Sequence, residues 1–134
     1  MAYGAETSPI ALAHRGGAGL AAENTLAAFS LATALGLRYL ETDVRLTADG
    51  HLVCFHDERL DRVTDGRGPL RRHTLASLRR VRVAGTEPVP TLVEALEAFP
   101  DARFTVDLKE RDALLPLVNV LRHKDFRERV CVAG

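Results

Sequence analysis

The chain has 134 residues, of which 46% are hydrophobic and 27% are charged. This composition is typical of a globular protein with enough length for one core, so we expect a single domain. The 18 basic residues balance the 18 acidic ones, which gives no reason to expect a nucleic-acid or acidic-membrane partner. No apolar stretch approaches the roughly 20 residues that a membrane helix needs. Residues 1–9 lack the pattern of a secretory signal, so we expect an N-terminal tail on a cytoplasmic protein.

The first predicted unit is a strand followed by a helix. The apolar run from Ile10 to Ala13 suits a buried strand, and it ends at His14, where nearby glycines turn the chain. Asn24 is a predicted N-cap for a helix from Thr25 to about Leu35. The end of the strand, rather than the helix, then carries the residues that could take part in a reaction.

The second predicted strand runs from Tyr39 to Val44. Side chains alternate between the two faces of a strand, so Glu41 and Asp43 share one face. The next apolar run, from Leu52 to His56, follows after a connection too short for a parallel crossover, which needs a dozen or more residues. The two strands are therefore predicted to be antiparallel.

A β-hairpin around Asp49-Gly50 would join these strands, because this dipeptide accepts the positive φ angles of a tight turn. With these two residues at the centre of the turn, Asp43 lies directly opposite His56. The register then brings a carboxylate beside an imidazole. A slip of one residue would send His56 to the other face.

The second half of the chain continues the alternation of helices and strands. Thr74 is expected to cap a short helix, and Thr91 with Glu94 forms a capping box for another. The run from Phe104 to Lys109 follows as a strand, and it carries Asp107 and Lys109 on one face. The residues from Val130 to Ala133 begin a further strand. The two cysteines, Cys54 and Cys131, lie in apolar runs and are expected to be core residues rather than a disulfide.

The carboxylates at these strand ends suggest a metal site. Glu41, Asp43 and Asp107 supply hard oxygen ligands, without the cysteine or clustered histidine that would favour zinc. Mg²⁺ or Ca²⁺ is the matching ion. The alternative is a buried charge network in which the acids pair with Arg15, Arg45 or Lys109. Three acids facing the same space favour the ion, because it removes their mutual repulsion.

The histidines and cations add the groups needed to cleave a phosphodiester. Imidazole side chains exchange protons readily at physiological pH, so one of His14 and His56 can accept a proton from the nucleophile while the other donates one to the leaving alkoxide. Arg15 and Lys109 can bind the phosphoryl oxygens. Each histidine alone is more commonly structural, and their placement at strand ends beside acids raises the odds of catalysis.

At these residues the chain resembles the glycerophosphodiester phosphodiesterase family of the phospholipase C-like phosphodiesterases, whose pattern is His-Arg, then Glu-x-Asp, then His-Asp. Further matching stretches are Glu23-Asn24-Thr25, Thr47-Ala48-Asp49-Gly50, Leu60-Asp61-Arg62-Val63-Thr64-Asp65-Gly66 and Val89-Pro90-Thr91-Leu92. The resemblance implies metal ligands at Glu41, Asp43 and Asp107, an acid-base pair at His14 and His56, and phosphate contacts at Arg15 and Lys109. The position of Asp107 is more often Glu in the family, so the third ligand is one methylene shorter here.

The resemblance also implies a fold and a reaction. The fold is an α/β, TIM-like (β/α) barrel, and the reaction is metal-dependent hydrolysis of glycerophosphodiesters to glycerol 3-phosphate and an alcohol. A full barrel typically takes about 250 residues, so we expect residues 10–134 to form a partial barrel domain of about the first half. Exposed strand edges would then make self-association possible. Two other functions stay open: a phosphodiesterase of the sphingomyelinase D or lysophospholipase D type, and a catalytically inactive remnant that binds metal or phosphate.

Overall fold

The computed structural model describes residues 12–17 and 21–134. Within these ranges the strands are β1 (Leu12–Ala13), β2 (Tyr39–Leu46), β3 (Leu52–Cys54), β4 (Arg82–Val83), β5 (Glu87–Pro88), β6 (Arg103–Leu108) and β7 (Val130–Ala133). The α-helices are α1 (Leu26–Ala34), α2 (Leu75–Leu78), α3 (Leu92–Ala98), α4 (Leu114–Leu121) and α5 (Lys124–Arg129). The predicted N-terminal tail and the beginning of the first predicted strand, at Ile10, lie outside the described residues.

The main sheet is parallel along the order β1-β2-β6-β7, as expected for successive βα units. Strand β3 is the exception, since it pairs antiparallel with the end of β2. Strands β4 and β5 form a separate two-stranded hairpin. The parallel strands bring their carboxyl ends to one edge of the sheet, which we call the carboxyl edge.

The predicted hairpin is present, but its predicted register is wrong by one residue. Val44 pairs with Cys54, and the backbone N–H of Phe55 donates to the carbonyl of Asp43 at 2.9 Å. Asp43 therefore lies opposite Phe55 and not opposite His56. Because β3 ends at Cys54, strand alternation does not determine the face on which His56 lies. The cause is a three-residue loop between Thr47 and His51, whose last residue takes a left-handed φ of 84° at Gly50.

The first helix begins one residue later than predicted. Thr25 is its N-cap, and the Thr25 hydroxyl accepts a hydrogen bond from the N–H of Ala28. Asn24, the predicted cap, instead takes a left-handed φ of 56° and is buried. The capping box of Thr91 and Glu94 is confirmed at the start of α3.

Two apolar clusters support the carboxyl edge. One lies between the main sheet and helices α1, α3 and α4, where the ring of Phe29 packs edge-on against Phe104 at a centroid distance of 5.6 Å. The other lies under the long segment that follows β3, and includes Phe55 and Leu60. Cys54 is a buried free thiol, as expected. The predicted core position is wrong for Cys131, which is exposed because no part of the described chain covers its side chain on β7.

Apolar residues are exposed on both outer strands of the main sheet. Leu12 on β1 is 46% exposed and Val132 on β7 is 44% exposed. Self-association through these edges stays a prediction. In the described part of the chain, none of the helices has the length and apolar character required to cross a membrane.

Candidate active site

Three carboxylates meet at the carboxyl edge because of strand register. Asp43 on β2 and Asp107 on β6 are direct partners across the parallel pair. Glu41 lies two residues before Asp43 and so shares its face. One ligand oxygen from each of the three lies within 4.8 Å of the others. Glu41 and Asp43 are buried, and Asp107 is half-buried.

Two cations lie beside this cluster. Lys109 Nζ lies 2.9 Å from Asp107 Oδ2 and 3.6 Å from Asp43 Oδ1, so it bridges the two strands. Arg15 Nε lies 3.9 Å from Asp43 Oδ2. Arg45, the third cation considered from the sequence, is engaged elsewhere: its guanidinium donates to the backbone carbonyl of His56 at 2.8 Å and to Glu110.

The electrostatics of the cluster favour a cation. Burial raises the pKa of Glu41, and the neighbouring charges of Asp43 and Asp107 raise it further, against the opposing effect of the Arg15 N–H donor. The hydrogen bond to Asp107 raises the pKa of Lys109. The three carboxylates are thus held close together, and their burial and mutual repulsion cost free energy that a positive ion would offset.

His14 lies in the turn that follows β1. Its Nε2 is 3.6 Å from Glu41 Oε2, and its side chain is 73% exposed. Gly16, in the same turn, packs directly on the ring of Phe29. A side chain could not be accommodated there, because a Cβ would lie 2.2 Å from the ring. Close packing of the glycine on this ring holds His14 and Arg15 at the carboxyl edge.

His56 lies beyond the end of β3 and is held by its neighbour. Its Nδ1 lies 2.7 Å from Asp57 Oδ1. Asp57 also accepts two hydrogen bonds from Arg62, at 2.7 and 3.0 Å. The Arg62 guanidinium holds the pKa of Asp57 far below its ordinary range. Arg62 in turn donates to Glu23 at 3.0 and 3.1 Å, which ties the segment after His56 to the segment before α1.

The site contains supporting residues that chemical reasoning from the sequence did not single out. They are Glu23, Asn24, Asp57 and Arg62. All four lie within the stretches that carry the family resemblance, Asp57 as the second residue of the His-Asp pair, so the pattern contained a signal without giving a role. That Asp57 follows His56 in the chain does not by itself reveal a side-chain contact. The structure brings the three acids together with His14, Arg15 and Lys109, and it places His56 in the Asp57–Arg62 cluster.

Comparisons with known proteins give the family. The model of the glycerophosphoryl diester phosphodiesterase family matches residues 14–130. The chain belongs to this family. It is 35% identical to the glycerophosphodiester phosphodiesterase of Caldanaerobacter subterraneus subsp. tengcongensis over 93% of the chain and 57% of that protein. It is 38% identical to the probable glycerophosphodiester phosphodiesterase 2 of Mycobacterium tuberculosis over 93% of the chain and 48% of that protein.

Solved structures agree on the fold. The glycerophosphodiester phosphodiesterase of Agrobacterium tumefaciens superposes with a TM-score of 0.87 and 32% identity, over 93% of the chain and 57% of that protein. A phosphodiesterase of Oleispira antarctica, solved in complex with the product sn-glycerol-3-phosphate, superposes with a TM-score of 0.82 and 34% identity, over 92% of the chain and 56% of that protein. The expected fold is confirmed as about the first half of a TIM-like barrel, since the chain spans about half the length of these relatives.

Proposed function

We propose that the protein carrying this chain hydrolyses glycerophosphodiesters to glycerol 3-phosphate and an alcohol, with the help of a divalent metal. The observation that carries the proposal is the convergence of Glu41, Asp43 and Asp107 at the carboxyl edge of a chain from this family. The relatives described above bear the same activity in their names, and one was solved with glycerol 3-phosphate. They favour this reaction over the sphingomyelinase D or lysophospholipase D alternative.

The three carboxylates would hold Mg²⁺ or Ca²⁺. Oxygen ligands of this type suit both ions, and the proposal is supported by the close approach of the three ligand oxygens, within 4.8 Å of one another. Burial, with the charges of Asp43 and Asp107, raises the pKa of Glu41, and a positive ion would oppose that effect. When bound, the ion would supply charge stabilisation at a phosphoryl oxygen. Asp107 is the most exposed of the three and pairs with Lys109, so this lysine would have to share it with the ion.

Arg15 and Lys109 are proposed to bind the phosphate. The Arg15 side chain is partly exposed and its Nε lies 3.9 Å from Asp43 Oδ2, so its positive charge lies beside the acid cluster and could bind a phosphoryl oxygen there. Lys109 Nζ already lies between the two strands that carry the acids, and can contribute as a point charge. Both cations therefore lie where the negative charge of a phosphodiester would replace part of their contact with the acids.

The two histidines are proposed to move protons. Because ionised Asp57 can only accept, Nδ1 of His56 carries a proton, and Nε2 of the neutral ring is left as an acceptor. His56 is therefore assigned as the base that takes a proton from the attacking oxygen. His14, in the turn beside Glu41, is assigned as the acid that protonates the leaving alkoxide.

Release of glycerol 3-phosphate from glycerophosphocholine tests the proposal. The protein carrying this chain should release it with Mg²⁺ or Ca²⁺ present, lose the activity with a chelator, and regain it when the ion is restored. Cleavage of lysophosphatidylcholine or sphingomyelin with no action on glycerophosphocholine would favour the alternative reaction. No turnover of any of these would favour the inactive remnant.

A further inference from the structure

Neither backbone conformation nor helix capping explains why a buried asparagine stands at position 24. Only 2% of the surface of Asn24 is exposed, and its φ of 56° lies in the left-handed region, which asparagine adopts more readily than most residues but at some cost relative to glycine. Helix capping, the usual use of asparagine near a helix start, is performed by Thr25 instead. The buried amide is therefore kept in a strained backbone for another reason.

The side-chain amide of Asn24 contacts a carboxylate of the cluster directly. Its Nδ2 donates to Asp43 Oδ2 at 3.1 Å, and its Oδ1 accepts from Thr42 Oγ1 at 2.9 Å. An ionised carboxylate can only accept, so the nitrogen must face Asp43 and the oxygen must face Thr42. Thr42 is wholly buried, and its hydroxyl thus fixes the amide in the orientation that supports Asp43.

The backbone of Asn24 reaches a second carboxylate through one intermediate residue. Its N–H donates to the carbonyl of Arg15 at 2.9 Å. The N–H of Arg15 donates to Glu41 Oε2 at 3.0 Å. Since Arg15 itself has a left-handed φ of 48°, the hydrogen bond from Asn24 helps to hold this turn in the conformation that aims its N–H at Glu41.

We propose that Asn24 is a positioning residue that orients Asp43 through its amide, and Glu41 through the Arg15 backbone, for a divalent cation. This inference rests on the proposed metal site. Hydrogen-bond partners of metal ligands typically contribute 10–100-fold to metal affinity, so loss of the amide should weaken binding by a factor in this range. Asn24 contacts Asp43 directly and reaches Glu41 only through Arg15, so it acts through the proposed metal ligands.

The variant Asn24→Gly isolates the side chain. Glycine adopts the left-handed conformation without strain and keeps the N–H bond to Arg15, so only the amide is lost. Metal binding to the protein carrying this chain would be measured by calorimetry, with Mg²⁺ and Ca²⁺ in separate titrations and no substrate present. We expect affinity about 10–100-fold weaker than in the wild type. Ala84→Gly is the matched control, because Ala84 is an exposed left-handed residue in the turn between β4 and β5; its metal affinity should equal that of the wild type.

A second variant, Thr42→Val, keeps the amide but removes the hydroxyl that orients it. It should weaken metal binding by less than Asn24→Gly, and it decides the matter if the glycine variant does not fold. The melting temperature in chelator provides the structural readout, since a purely structural role would lower it without changing the affinity. Wild-type affinity in both variants would overturn this inference alone. A wild-type protein that binds neither ion would overturn the proposed metal site and this inference with it.

Discussion

The two edges of the parallel sheet use charged residues in opposite ways. At the amino edge, where the strands begin, the buried Arg129 donates to the backbone carbonyls of Leu96, Phe99 and Ala102 at 2.9–3.1 Å. At the carboxyl edge, charged side chains face one another in a cluster of three acids and two cations. The first arrangement provides hydrogen-bond donors for backbone carbonyls at the carboxyl end of α3 and in the following loop. The second leaves acids that repel one another.

The difference matches a general division of labour in TIM-like barrels, where the carboxyl face carries function and the opposite face carries stability. Both terminal nitrogens of Arg129 at the amino edge donate to protein groups, including Asp125 at 3.2 Å, and its buried Nε alone has no hydrogen-bond partner among the described residues. The acids of the carboxyl edge are completed only in part, because Lys109 and Arg15 must serve several carboxylates. A ligand is thus expected to change the carboxyl edge and to leave the amino edge unaffected.

The largest effect is expected from the histidines of the carboxyl edge. His56→Ala and His14→Ala should each lower turnover of glycerophosphocholine by ~10²–10⁴-fold, the usual contribution of a positioned acid or base. The melting temperature should change little, because both side chains are partly or mostly exposed. His51→Ala is the control, since His51 is exposed in the hairpin loop. Near-normal turnover in either variant would remove that histidine from the mechanism.

At the amino edge the expected effect is on stability alone. Arg129→Met leaves several buried carbonyls without their donor, at a cost of roughly 1–3 kcal/mol in the free energy of unfolding. Urea denaturation would measure the loss, and calorimetry should show unchanged metal affinity. Arg127→Met, on the exposed surface of the same helix, should be close to neutral. Weakened metal binding in Arg129→Met would contradict the separation of the two edges.

Local patterns in the sequence predicted much of the carboxyl edge. Alternation along β2 placed Glu41 and Asp43 on one face, and the apolar runs located β6 and β7 within a residue. The alignment of Asp43 with Asp107 was inferred only as convergence, because parallel register is set by how the crossover helices pack. Hairpin register was missed because Asp49-Gly50 suits both a two-residue loop and the three-residue loop that forms.

Asn24 shows why supporting residues are harder to predict. Its type and its place before a helix favour an N-cap, and only the tertiary contacts with Thr42 and Asp43 reveal a different use. Such contacts join residues 18 and 19 positions apart, which no local pattern contains. The barrel itself was predicted from the family resemblance, because residues 10–134 contain only part of a barrel.

A smaller effect, of opposite sign to that at Arg129, is expected from Glu41→Gln. Burial raises the folded-state pKa of Glu41 above its ordinary 4.5, so stability is lost as pH rises through the folded pKa. The neutral glutamine avoids this loss, and the variant should be more stable than the wild type at pH 7 in chelator, with the difference vanishing below about pH 4.5. Thermal unfolding across pH measures this, and Glu97→Gln on exposed α3 surface is the control. Added metal should stabilise the wild type and not the variant. A variant that is less stable than the wild type in chelator at pH 7 would contradict the expected cost of burying Glu41 beside two other acids.

The smallest effect is expected at Asp57, where the pKa shift has the opposite direction. Hydrogen bonds from Arg62 lower the pKa of Asp57 below its ordinary 3.8, so its stabilising contribution is complete above that pH and is lost as pH falls through the folded pKa. Asp57→Asn should therefore be less stable than the wild type at pH 7, by about 0.2–1 kcal/mol because the pair is partly exposed. The difference should shrink as the pH is lowered below 3.8. At both positions the difference from the wild type grows as the pH rises, but Glu41→Gln becomes the more stable protein whereas Asp57→Asn becomes the less stable one. Urea unfolding of both variants across the same pH range would measure the two trends, with Asp101→Asn as the exposed control. Stability differences of the same sign at Glu41 and Asp57 would show that the two acids do not experience the opposite environments that their contacts indicate: burial beside like charges for Glu41 and pairing with Arg62 for Asp57.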